Sequence, residues 1–128
     1  SETKAHAPST IDAAPAAQAI ATLRRAMTMN VGLERDAGGL AAALSTIAHL
    51  EQAAAGDPDL RNMTATATLI AAAALKRTES RGGHFRSDYP QASDAFAKRT
   101  FITLAEARHI AATSVRANRS KAALKAVR

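Results

Sequence analysis

Apolar positions recur along this chain at steps of three and four, the mark of helices with one buried stripe. Ile20, Leu23, Met27 and Val31 make the first stripe and predict a helix starting near Pro15, a residue suited to a first helical turn. Arg24 and Arg25 fall off the stripe, and Gly32 marks a break or a point of close contact. Leu40, Leu44, Ile47 and Leu50 predict a second helix over 36–55, capped by Asp36, with Gly38 and Gly39 leaving room for another backbone. Gly56-Asp57-Pro58 closes that helix with a glycine at C′ and opens the next with an aspartate cap and a proline at N1. Leu60, Met63, Ala67, Ile70 and Ala74 carry a third helix over 58–79. Three helices with short connections predict an all-α fold, an up-down-up antiparallel three-helix bundle.

Beyond Pro90 the periodicity weakens. Residues 99–102 read as a short extended piece, and Thr103-Leu104-Ala105-Glu106 has the form of a capping box opening a further short C-terminal helix, from 104 to 113 or beyond. Residues 1–14 are small, polar and without period, as in a linker. The expected organisation is a linker at 1–14, a bundle with a polar loop at 15–90, and a C-terminal extension at 91–128 with a short helix and a basic tail.

Composition qualifies this picture. About a quarter of the 128 residues are alanine and aromatics are only 3%. Alanine favours helix but adds little apolar area, and hydrophobic stabilisation follows area. The expectation is plentiful helix, a thin core, and some apolar surface reserved for another domain or subunit. The absence of cysteine excludes disulfides, thiolate metal sites and cysteine nucleophiles, and fits a cytoplasmic location. No apolar run approaches a membrane span of about 20 residues, so no membrane partner is expected.

The net charge of +6 suggests nucleic acid until it is located. Residues 1–106 hold 11 basic and 11 acidic side chains, and the whole excess lies in Arg108, Arg116, Arg119, Lys121, Lys125 and Arg128. A neutral body with a basic terminus is the pattern of a solvated end rather than a groove reader, so nucleic acid is not expected as a partner.

One segment is unlike the rest. Residues 77–90 gather Arg77, Glu79, Arg81, His84, Arg86, Asp88, Tyr89, two glycines and a proline. Such groups are costly to bury unpaired, so their density marks a loop that docks. Two readings arise from the residues alone. His84 and its neighbours face an anionic ligand or an active-site wall, or Glu79 and Asp88 pair with Arg77, Arg81 and Arg86 in a hydrogen-bonded knot at a domain boundary. Arg35, at a helix junction, either pairs with Glu34 or Asp36 or reaches toward a partner domain. His6, His49 and His109 lie too far apart for a metal motif, and Gly82-Gly83 alone is too little for a phosphate cradle. Met27, Met29 and Met63 sit at helical spacing, which predicts core packing rather than cofactor contact.

Glu79-Ser80-Arg81-Gly82, His84, Arg86 and Asp88-Tyr89-Pro90 resemble the ESRGxHxRxDYP segment of the C-terminal helical domain in the fumarate reductase, succinate dehydrogenase and L-aspartate oxidase flavoproteins. Met27, Val31-Gly32-Leu33, Arg35 and Leu40 are similar to that family's helix-one-to-two segment, and the likeness covers about residues 16–90. Within the family the L-aspartate oxidase branch fits better. The succinate dehydrogenase flavoproteins continue past this element with an Arg-Asp-Asp segment and a tryptophan, whereas here Gln91-Ala92-Ser93-Asp94 follows and tryptophan is absent.

The resemblance implies a parent flavoenzyme that oxidises L-aspartate to iminoaspartate with FAD, feeding quinolinate synthase in NAD biosynthesis. It places the FAD glycines, substrate arginines and catalytic acid in upstream domains, so no catalytic, FAD-binding or metal-binding residue is assigned within this chain. It implies instead that Arg35, Arg77, Glu79, Arg81, His84, Arg86, Asp88 and Tyr89 dock the bundle onto the flavin-binding and capping domains of the same polypeptide.

Overall fold

The computed structural model describes residues 13–127; residues 1–12 of the expected linker and Arg128 of the basic tail lie outside the described residues. Four α-helices form among them: α1 (Ala13–Asn30), α2 (Ala37–Ala53), α3 (Pro58–Lys76) and α4 (Leu104–Ala126), with a single 3-10 turn at Asp94–Phe96. The fold is an all-α bundle.

The caps set the boundaries. The extended Asp36 accepts from the Gly39 N–H at 2.7 Å and starts α2. Asp57 accepts from the Asp59 and Leu60 N–H groups at 3.1 and 3.2 Å and starts α3, with Pro58 in the first turn. Thr103 accepts from the Glu106 N–H at 3.2 Å and starts α4. Each cap satisfies amides that have no partner inside the helix.

Other boundaries differ from the sequence pattern. α1 is helical from Ala13, the first described residue, and takes in Pro15. Gly56 does not adopt the left-handed C′ geometry: the Ala54 N–H closes α2 on the Leu50 carbonyl at 2.9 Å, and only Gly82 among the described residues has a positive φ. α3 stops at Lys76 rather than 79, where Arg77 turns extended. Residues 99–102 form no strand.

The core is built largely from alanine. Leu40, Ala43, Leu44 and Ile47 of α2 meet Ala67, Ala71, Ala72 and Ala74 of α3, with Leu23 and Val31 from the first helix and its end. Small side chains let α2 and α3 approach closely. Thr64 and Thr68 are also buried there, and their hydroxyls donate to the Arg61 and Thr64 carbonyls at 3.0 and 2.8 Å. Ile70, on the expected stripe of α3, instead lies 46% exposed.

The last helix, expected to be short, runs 23 residues. Nothing in its alanine-rich sequence breaks it. Its first turn lies by Leu75 and Lys76 at the end of α3, Arg108 donates to Glu51 of α2 at 2.6 Å, and Ala107 and Ala111 are buried against α2 and α3. From Arg116 onward every described residue is exposed.

Gly32 follows α1 at the point where a side chain has no room: a Cβ there would lie 2.5 Å from the Thr28 carbonyl oxygen. Gly56 has open space around the same position and no positive φ. Gly32→Ala is therefore expected to lower stability by about 1–3 kcal/mol. Gly56→Ala is expected to leave stability unchanged or raise it by up to about 1 kcal/mol. Paired thermal denaturation of the two variants checks both signs.

Candidate functional site

The polar loop following α3 folds back over one end of the bundle. Three helix termini meet there: the end of α1, the start of α2 and the end of α3. The loop supplies a charged or polar partner to each.

Arg86 is the central member and is only 1% exposed. Its Nη1 donates to the Ala74 and Leu75 carbonyls at 3.0 and 2.9 Å, capping the C-terminal end of α3. Its Nε and Nη2 form a two-pronged pair with Asp88 Oδ1 and Oδ2, both at 2.7 Å. Asp88 Oδ2 also accepts from the Ala37 N–H at 3.0 Å, in the first turn of α2. A cation therefore sits on the negative end of one helix dipole and an anion on the positive end of its antiparallel neighbour. The Tyr89 ring lies 5.1 Å from the guanidinium carbon of Arg86. Ser80 Oγ accepts from the Arg86 N–H at 2.9 Å and donates to the Tyr89 carbonyl at 2.8 Å, pinning the turn.

Glu79, fully buried, organises the other half of the loop. Its Oε1 lies 3.1 Å from both Arg77 Nε and Arg81 Nε, and its Oε2 accepts from the Ser93 N–H at 2.7 Å. Burial pushes its carboxyl pKa up, but the Ser93 amide and the Arg81 and Arg77 guanidiniums outweigh that and hold it below the ordinary carboxylate value. Arg77 Nη2 also donates to the Phe96 carbonyl at 2.7 Å and the Lys98 carbonyl at 3.2 Å, drawing 93–98 against the loop.

His84 joins the loop to the α1–α2 junction. Arg35 Nη1 lies 2.7 Å from its Nδ1, and its Nε2 lies 3.0 Å from the Arg77 carbonyl. A guanidinium only donates and a carbonyl only accepts, so the ring is assigned the tautomer with its proton on Nε2. Arg35 Nε donates to the Val31 carbonyl at 3.0 Å. Its backbone pairs with the loop on both sides, receiving the Ser87 N–H at 2.8 Å and donating to the Phe85 carbonyl at 3.0 Å. Arg35 takes its side-chain bonds from its own domain, where Val31 and His84 both offer acceptors, and not from the expected Glu34 or Asp36.

Gly82 and Gly83 close a two-residue hairpin between Arg81 and His84, whose backbones exchange bonds of 2.8 and 3.0 Å. Gly82 has φ 56°, which only glycine adopts without strain. No helix follows this turn before the short turn at 94, so its amides do not form the strand–turn–helix cradle of a dinucleotide site. These residues do not fit a flavin phosphate.

The eight residues read from the sequence thus come together at one end of the bundle. Glu79 and Arg86 are sealed inside, while Tyr89 is 45% exposed and the Arg81 side chain 42%. The pairings of Glu79 with Arg77 and Arg81, and of Asp88 with Arg86, form within this chain. Sequence reasoning missed Ser80, Ser93 and the amide of Ala37. Their contributions are a hydroxyl and two backbone N–H groups, whose use depends on where the chain folds back.

No buried side-chain nitrogen or oxygen among the described residues lacks a hydrogen-bond partner. No cluster of three or more His, Asp or Glu side chains among them is placed to hold a metal. What this arrangement does chemically is hold helix ends together and fix an exposed edge formed by Arg81, Phe85 and Tyr89.

Comparison with known proteins agrees with a helical domain of a larger flavoprotein. Residues 57–126 match the family described as fumarate reductase flavoprotein C-term. The chain belongs to that family. Its similar relatives are L-aspartate oxidases. That of Rhodospirillum rubrum is 53% identical over 79 residues, covering 62% of this chain and 28% of the relative. That of Caulobacter vibrioides is 46% identical over 86 residues, covering 67% and 16%. That of Mycobacterium leprae is 37% identical over 87 residues, covering 66% and 16%. The chain therefore spans between 16 and 28% of the length of these relatives. No solved structure matches it. No described helix is long and apolar enough to cross a membrane.

The Arg86–Asp88 pair generates two expectations. Asp88→Ala leaves a buried guanidinium without its counter-ion and is expected to cost roughly 2–4 kcal/mol, against less than about 1 kcal/mol for Arg108→Ala at the exposed bridge to Glu51. Urea unfolding of both variants tests the contrast. The paired bonds from Arg86 hold the Asp88 carboxyl down at about 2, below its ordinary 3.8, with burial opposing and the Ala37 amide assisting. A lowered carboxylate stabilises the fold above its ordinary value and loses that contribution as pH falls toward 2. Discounted for partial exposure, about 1–2 kcal/mol of stability should disappear across that acid window in the parent chain, and not in Asp88→Asn.

Proposed function

We propose that this chain is the C-terminal helical domain of an FAD-dependent L-aspartate oxidase, and that within it the domain is a non-catalytic docking element. The parent enzyme oxidises L-aspartate to iminoaspartate in the cytoplasm, and quinolinate synthase consumes the product in NAD biosynthesis. FAD supplies the hydride acceptor. The flavin, the substrate and the catalytic groups belong to domains upstream of this one, the flavin-binding and capping domains, against which the bundle packs.

The observation that carries this reading is the identity of 46–53% to L-aspartate oxidases over most of the bundle. The geometry supports the docking role in a particular form. Glu79, Arg86 and Asp88, with Arg35, Arg77 and His84 behind them, give the loop a fixed shape. Arg81 and Tyr89 on its open edge, beside the 42% exposed Phe85, are the groups available to meet another domain.

The polypeptide encoded by the native gene, purified whole, is expected to carry FAD and to oxidise L-aspartate, with iminoaspartate trapped as product. Succinate is expected to be left untouched. A flavoprotein that oxidises succinate and ignores aspartate would place the chain in the other branch of its family.

A further inference from the structure

The bundle is closed on one side and open on the other. α4 covers the groove between α2 and α3, burying Ala107 and Ala111. No described helix covers the groove between α1 and α3. It is lined by Leu23, Met27, Met63 and Ile70, and it continues past Ile70 onto Met29 and Leu33 at the α1–α2 junction. All three methionines of the chain lie on this face. Met29 is 70% exposed and Leu33 94%.

Leu33 is the informative residue. An exposed leucine on a loose loop means little. Leu33 is held between Val31, which is buried, and Arg35, which is tied to the Val31 carbonyl, to His84 and to the backbone of Phe85 and Ser87. Gly32 beside it fits against the Thr28 carbonyl with no space for a Cβ. A leucine presented outward from so fixed a junction is preorganised to be buried by something else, since little conformational freedom is left to lose on contact. The adjoining methionines suit an irregular apolar partner.

We infer that this face, from the α1–α3 groove to Leu33, is the seat of an apolar surface of the polypeptide upstream of the bundle. The inference rests on the reading of the chain as a C-terminal domain and adds the surface through which it docks. The ionic loop shapes and flanks that surface, and the apolar face makes the contact. Three observations select this occupant. The chain accounts for only 16–28% of its relatives' length, so most of such a protein lies elsewhere. The face is built on α1, the helix nearest in sequence to that upstream part. Its rim carries Arg24 and Glu34, one charge of each sign, whereas a nucleic acid or an anionic lipid surface would call for a basic rim.

The test is thiol labelling of the whole native-gene polypeptide, read by peptide mass spectrometry, after aspartate oxidation by the unsubstituted enzyme has been verified. Ile70→Cys and Leu33→Cys report on the face. Leu124→Cys, on the far end of α4 at a residue 72% exposed, is the reference. The face positions are expected to react at least roughly tenfold more slowly than the reference, independently of protein concentration. Reaction of all three at one rate in an active aspartate oxidase overturns the inference and leaves the functional reading intact. Protection that disappears on dilution also overturns it, because a second copy would then be the cover. A native gene with no upstream flavin region overturns both. Thr66→Cys, at an exposed position lining the same groove, replaces Ile70→Cys if that variant does not fold.

Discussion

The buried guanidinium of Arg86 is the contact on which this end of the molecule depends. α3 finishes with carbonyls that have no helical partner, and α2 starts with amides in the same condition. Both ends are drawn together by the antiparallel packing of an alanine-rich interface, which brings backbone close to backbone. At the α3 end Ala74 is buried, so its carbonyl needs a partner from the protein itself. Arg86 answers the carbonyls, Asp88 answers an amide, and Asp88 supplies the counter-charge that the buried Arg86 guanidinium needs. The helix dipoles favour the same arrangement.

The remaining features of the loop follow from keeping Arg86 in place. The turn that carries it must reverse within two residues, which is why a glycine with positive φ stands at 82. Ser80 fixes the backbone of Arg86 and Tyr89 together. Glu79 anchors the stretch beyond Pro90 through Ser93, and His84 ties the hairpin to Arg35. With so small an apolar core, this polar end is a substantial part of what makes the fold unique. A polar network with every member satisfied specifies a structure sharply. The loop's buried side-chain polar atoms are all satisfied, while Arg81 and Tyr89 stay open at its edge.

Much of this was legible in the sequence. Asp36, Asp57-Pro58 and Thr103 announce their helices because capping is local chemistry, decided by residues three or four apart. The density of charge at 77–90 announces the site, and the spacing of its members carries the family. The sequence did not reveal which charges would be sealed and which left open, because burial depends on where the loop lands. Arg35 and His84 are 49 residues apart and nothing in either predicts the other. The outward face of Ile70 was hidden for a related reason. A stripe at helical spacing shows that a face is apolar, and it does so equally for a face packed in this chain and one awaiting another. The length of α4 was missed because alanine continues a helix whether or not a neighbour supports it.

Arg86 acts through geometry, as a planar fork serving two helix ends, and not through its charge alone. Substitution by lysine separates the two. Lysine keeps the charge but cannot donate to Ala74, Leu75 and both oxygens of Asp88 at once. The unfolding free energy of Arg86→Lys, measured in urea beside the parent chain, is the most direct test. A loss of about 2 kcal/mol or more is expected. A change within about 0.5 kcal/mol would contradict it.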